Sequence, residues 1–261
     1  MRSLTATLVL SLLIGTAPAF AQNADTAVKS DQTAVPPRFV EPNLRLPKDS
    51  GGISSSNLIK DAPLSDDFFM GKPDAPVVMV EYASLSCPHF AHFSATVLPL
   101  LEKEYINTGK IRYVLRQFPL NEPALKGAML LDCVGEQNKE KYFVFSKVLF
   151  DAQNKWAFDS NFMAGLETIA TVGGLSREQF QNCVTPTDRE MKILKQKKLA
   201  EEQVKVPHTP YIFIAGEAYE GDRGFEAISK FIDKKLAEGQ KTTPQAAPSA
   251  GTPEAPKTDK K

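Results

Sequence analysis

The residues best suited to chemistry gather at one junction. Cys87 is followed by Pro88 and His89, and six positions before it Glu81 stands in the apolar run Val77-Val78-Met79-Val80-Glu81-Tyr82. That run is rich in β-branched residues and long enough for one buried strand. It ends in the turn Ala83-Ser84-Leu85-Ser86, after which helical periodicity begins. A thiol delivered to a helix N-terminus meets unpaired backbone N–H groups and the positive end of the helix dipole, and both favour thiolate, the nucleophilic form. Pro88 suits the first helical turn, where its missing N–H would have had no partner. The alternative is an inert buried cysteine acting as a small hydrophobe.

Glu81 adds to the same site. A lone carboxylate among Val, Met and Tyr has its ionised form disfavoured by desolvation, which suits it to accept or donate a proton near a reacting thiol. If instead it sits at the strand end, it simply reaches solvent. All three histidines lie near the junction or near a second stretch: His89 and His92 on the first helix, and His208 just before Thr209-Pro210. An imidazolium beside Cys87 would stabilise thiolate. Read together, Cys87, His89, His92 and His208 offer ligand types for a soft or borderline metal, but their spacing matches no standard zinc pattern.

The elements that must hold these residues follow from periodicity. A strand is expected near Val77 to Tyr82, then a helix from Pro88 to about Tyr105, interrupted near Pro99, then a strand from Ile111 to Gln117. Such a β-α-β unit has parallel strands. Helical spacing follows over Pro123 to Val134, Lys139 to Ala152, Asn161 to Val172, Ser176 to Val184 and Asp188 to Val204. Strand character returns at Tyr211 to Ile214, a turn at Ala215-Gly216-Glu217 leads into a short strand around Ala218 to Glu220, and Phe225 to Ala237 reads as an amphipathic helix.

The ends of the chain read differently. Met1-Arg2-Ser3, an apolar stretch from Leu4 to about Gly15 and Ala19-Phe20-Ala21 have the three parts of a secretory signal peptide, with cleavage expected after Ala21; an uncleaved anchor is the alternative. Residues 22–63 are poor in periodicity and rich in Pro, Gly and Ser, as expected of a disordered arm, and residues 239–261 read as a disordered, solvated tail. Hydrophobic residues at 42% suffice for one sizeable core, and 31 basic against 31 acidic residues give no electrostatic case for a nucleic-acid partner.

The motif Cys87-Pro88-His89-Phe90, preceded by Glu81 and set in this order of elements, resembles the active site of the DsbA family of thioredoxin-fold oxidoreductases over about residues 64–238. The resemblance implies an α/β thioredoxin fold with an inserted all-helical domain. Residues 64–121 and 206–238 would form the two parts of the thioredoxin fold, and residues 122–205 the insertion. It implies that Cys87 is the catalytic thiol, with Glu81 and His89 assisting it. It also implies that Thr209 and Pro210 form the cis-proline loop that pairs with substrate, where an ordinary trans strand opening is the alternative. The place of action would be the periplasm. No cofactor is implied. The partners would be cysteine-containing exported proteins, with glutathione or a membrane redox partner as candidates for resolving mixed disulfides.

Two features complicate that picture. Cys133 and Cys183, both in the expected insertion, would pair as a structural disulfide in an exported protein, although two buried free thiols are the alternative. The family's second active-site cysteine is Phe90 here, so Cys87 has no local partner for a disulfide. Three functions remain open: a single-thiol oxidoreductase; a redox-inactive relative that binds extended polypeptide in a groove lined by Pro88, Phe90, Thr209 and Pro210; and a metal carrier.

Overall fold

The computed structural model describes residues 66–242. The expected signal peptide, the arm at 22–63 and the tail beyond residue 242 lie outside these residues. Among the described residues five strands form one sheet: β1 (Phe69–Met70), β2 (Val77–Ala83), β3 (Ile111–Gln117), β4 (Tyr211–Ile214) and β5 (Glu217–Tyr219), in the order β1-β3-β2-β4-β5. β2 and β3 are parallel, and β1, β4 and β5 each run antiparallel to the strand they join. β1 has only two residues, too few for a periodic signal in the sequence.

β2 is central and buried on both faces, as its near-continuous apolar run requires. Successive side chains alternate, so Val77, Met79 and Ala83 join the larger core, whereas Val80 and Tyr82 join a smaller core on the opposite face with Val114, Phe118, Val206 and Phe213. Glu81 shares the parity of Met79 and Ala83 and therefore points toward the larger core. A two-residue turn joins β4 to β5, with Ala215 at φ 52° and Gly216 at φ 80°. Two positive φ values in succession match the right-handed twist of a hairpin.

The first helix breaks where proline demands it. α1 (Pro88–Thr96) stops at Val97, α2 (Leu98–Leu101) resumes, and a π-helical turn (Glu102–Ile106) closes the segment. Pro99 has no N–H to donate four residues back, to Ala95. On α1 and its continuation, Phe90, Phe93, Val97 and Leu101 form the stripe that faces the core.

Five helices stand between β3 and β4: α3 (Glu122–Gln137), α4 (Lys139–Asp151), α5 (Phe162–Val172), α6 (Arg177–Val184) and α7 (Thr187–Leu199), the last extended by a π-helical turn (Ala200–Val204). Three of the five start with a side-chain cap. Asn121 accepts from Ala124 N at 3.0 Å, Asn138 accepts from Glu140 N at 2.9 Å, and Ser176 with Gln179 forms a reciprocal capping box. Cys133 on α3 and Cys183 on α6 are joined by a disulfide with Cα atoms 5.4 Å apart. Asp132 beside it receives Arg189 and Lys192 of α7 at 3.0 Å each, so three helices are tied at one point. The last helix of the described residues, α8 (Phe225–Thr242), runs past the expected start of the tail at residue 239.

Candidate functional site

The site forms where β2 hands the chain to α1. Cys87 is the N-cap residue, extended at φ −85° and ψ 115°, with Pro88 at the first helical position. Its N–H donates to Ser84 O at 3.0 Å, which closes a tight turn over Ser84-Leu85-Ser86-Cys87. Ser84 Oγ accepts from Leu120 N at 3.3 Å, so the turn is also joined to the loop after β3. Cys87 is the free cysteine of the described residues and is 5% exposed.

The Thr209–Pro210 peptide is cis, and the Cys87 Sγ–H donates to the Thr209 carbonyl oxygen at 3.5 Å. Thr209 Oγ1 is buried and has no hydrogen-bond partner. Residues 122 positions apart thus meet at the sulfur. Pro88 is exposed beside the thiol, and Pro210 is buried.

Glu81 is fully buried, and desolvation pushes its carboxyl up to about 8, against the opposing hydrogen bond from Tyr113 and the charge of Arg223. Tyr113 Oη donates to Glu81 Oε2 at 2.7 Å, and Glu81 Oε1 has no partner. The strand-end, solvent-reaching alternative does not hold, because β3 and β4 flank Glu81 at Leu115 and Ile212. At neutral pH the group is a carboxylic acid held in the apolar interior, able to lose or take a proton near physiological pH.

Phe90 is not part of a groove. Its ring is completely buried, 4.4 Å from the ring centre of Phe150 on α4 and 6.0 Å from that of Phe93. The expectation that it adds apolar surface for substrate is therefore corrected: the position three residues after Cys87 lies on the core-facing stripe of α1. The spacing Phe90-Phe93-Val97 carried that signal in the sequence.

The histidines are not assembled into one set. His89, His92 and His208 are exposed, and the His208 ring packs edge-on against Tyr211 with centroids 5.3 Å apart. Among the described residues no three His, Cys, Asp or Glu side chains come together as metal ligands. The ligand set proposed from Cys87, His89, His92 and His208 is therefore not formed. Sequence reasoning also missed Tyr113 and Ser84. A tyrosine or serine in a mixed strand or turn has no special pattern, and only the pairing of β2 with β3 brings Tyr113 to Glu81.

A thiol at a helix start, a cis-proline loop against it and a helical block inserted between β3 and β4 define a thioredoxin fold of the DsbA type. The chain belongs to the family described as Thioredoxin, whose model matches residues 64–234. It is similar to alpha-DsbA1 of Wolbachia pipientis, a crystal structure to which it is 31% identical with a TM-score of 0.66, over 72% of this chain and 98% of that one. It is 30% identical to a Rickettsia typhi protein named as a protein-disulfide oxidoreductase, over 68% of this chain and 65% of that protein. The chain thus spans slightly less than two thirds of that relative's length. Oxidised BdbD of Bacillus subtilis, at 19% identity and a TM-score of 0.60 over 66% of this chain and 94% of that one, shares the fold. Among the described residues no helix is long and apolar enough to cross a membrane.

Proposed function

We propose that this DsbA-like protein carries out thiol–disulfide interchange through Cys87 alone, on cysteines of exported proteins. The observation that carries this reading is the single free thiol at the start of α1, in contact with the cis-proline loop, with Phe90 where a second cysteine would stand. In the first step the Cys87 thiolate attacks one sulfur of a disulfide, forming a mixed disulfide and releasing the other sulfur as thiolate. In the second step another thiolate attacks the substrate sulfur of the mixed disulfide, which frees Cys87 with its electron pair and leaves a new disulfide on the substrate. That second thiol comes from the substrate itself, from glutathione or from a membrane redox partner.

Thr209 and Pro210 supply backbone beside the sulfur for an extended substrate strand, and Glu81 manages a proton during the exchange. His89, exposed two residues after the thiol, adds positive charge when protonated. A cleaved signal peptide ending at Ala21 would place the protein in the periplasm. The peptide-binding alternative loses the support it drew from Phe90, whose ring faces inward.

The test is mass spectrometry of the full chain after oxidised glutathione. One glutathione on Cys87, removed by dithiothreitol and absent from Cys87→Ser, is expected. A chain that takes no adduct and no alkylating label at Cys87 would rule the reading out.

A further inference from the structure

The turn that presents Cys87 is gripped from a second direction. Leu85, two residues before the thiol, is fully buried, and its carbonyl oxygen accepts a hydrogen bond from Gln153 Nε2 at 2.8 Å. Gln153 comes from the helical insertion, in the 3-10 turn Gln153–Lys155 that follows α4, and is only 4% exposed. The same peptide unit is held at its other end, where the Ser86 N–H points to Ser84 Oγ at 3.4 Å. A peptide bonded at both ends in the interior cannot rotate without leaving a buried donor or acceptor unpaired.

Packing reinforces the grip. Trp156, three residues beyond Gln153 and fully buried, donates its indole N–H to Leu149 O at 2.9 Å. Its ring tip and the Leu85 side chain close on the same spot at Gly127, where an added Cβ would lie 3.0 Å from Trp156 Cη2 and 3.1 Å from Leu85 Cδ1. The insertion therefore wraps the outside of the turn, while Thr209 meets the thiol itself. An apolar side chain at position 153 would fill space as well as Gln does, but only a donor satisfies the Leu85 carbonyl.

We propose that Gln153 is a positioning residue for Cys87: by holding the Leu85 carbonyl it sets the Leu85–Ser86 peptide, and through it the place of the sulfur at the start of α1 and against Thr209. This rests on the reading of Cys87 as the reacting group, and it makes the helical insertion part of the thiol's presentation. Small displacements of a reacting atom can lower rates many-fold.

The experiment follows alkylation of the full chain by iodoacetamide across pH. With Cys133 and Cys183 bridged, the label reports Cys87. Gln153→Met keeps the length of the side chain but has no donor, and is expected to slow alkylation by about three-fold or more at every pH. Gln153→Glu can donate only while its carboxyl is protonated. Its rate is expected to match wild type at low pH and to fall toward that of Gln153→Met as the carboxyl ionises. Ile193→Ala, a core truncation on α7, controls for general destabilisation and is expected to stay within about two-fold of wild type.

A Gln153 that only stabilises the fold predicts instead that alkylation follows the loss of stability in urea unfolding, so that Ile193→Ala at a comparable loss slows as much as Gln153→Met. The inference is overturned if Gln153→Met labels within about two-fold of wild type, or if Gln153→Glu keeps the same rate ratio to wild type at every pH. Should Gln153→Met fail to fold, the Gln153→Glu profile decides alone. A wild-type Cys87 that takes no label overturns the proposed function and this inference with it, whereas a labelled wild type with an unaffected Gln153→Met overturns this inference only.

Discussion

The sulfur of Cys87 lies 3.5 Å from the carbonyl oxygen of Thr209, across 122 residues of chain. Because the Cys87 N–H is also bonded to Ser84 O, the residue is held through both its backbone and its side chain. The thiol is therefore placed by the turn after β2 and by the loop before β4. Cys87→Ser keeps the shape of that contact. It is expected to fold with stability within about 1 kcal/mol of wild type while losing all alkylation and all glutathione adduct, measured by urea unfolding and by mass spectrometry.

Glu81 gives the stability a pH dependence of definite sign. Its folded-state carboxyl, raised from 4.5 to about 8, binds a proton that the unfolded chain has already lost. The stabilisation is fully present below about 4.5 and is lost as pH rises toward 8, and it amounts to on the order of 5 kcal/mol. Glu81→Gln cannot ionise, so its stability relative to wild type should rise steadily between these pH values in urea titrations. Parallel curves for the two proteins would show that Glu81 does not hold its proton as described.

Tyr113 acts on the same carboxyl with the opposite sign. Its hydroxyl bond to Oε2 favours the ionised form, so Tyr113→Phe should make Glu81 keep its proton to a higher pH than in wild type. The carboxyl carbon resonance of labelled Glu81, followed by NMR against pH, checks the direction of the shift.

Phe90 fills interior volume against Phe150 and Phe93. Phe90→Cys would restore a pair of cysteines at the family's spacing but leave a cavity, with an expected loss of about 2–4 kcal/mol in urea unfolding. Insulin reduction is expected to appear in this variant if the remainder of the site is intact. Retained stability would mean that the ring contributes little where it sits.

The bridge between Cys133 and Cys183 closes a loop with a sequence separation of 50. The double variant Cys133→Ala with Cys183→Ala should lose about 2–4 kcal/mol, with the ion pairs of Asp132 still joining α3 to α7. Alkylation of Cys87 in that variant should be unchanged, which separates the bridge from the thiol chemistry.

The sequence by itself determined the order of elements from β2 onward, because each of those strands and helices announces its own periodicity and its proline breaks, whereas the two residues of β1 do not. It also marked Cys87, whose place at a strand-to-helix junction is a local property of neighbouring residues. Even the inward face of Phe90 was written in its spacing from Phe93 and Val97, although the motif drew attention to the lost cysteine instead. Tertiary structure alone decided the rest. Tyr113 reaches Glu81 because β2 and β3 pair in one register, Thr209 reaches Cys87 because β4 docks beside β2, and Gln153 reaches Leu85 because the insertion folds back over the turn. Each is a contact between segments distant in the chain, formed where burial requires a polar group to find a partner, and no local pattern says which partner that is.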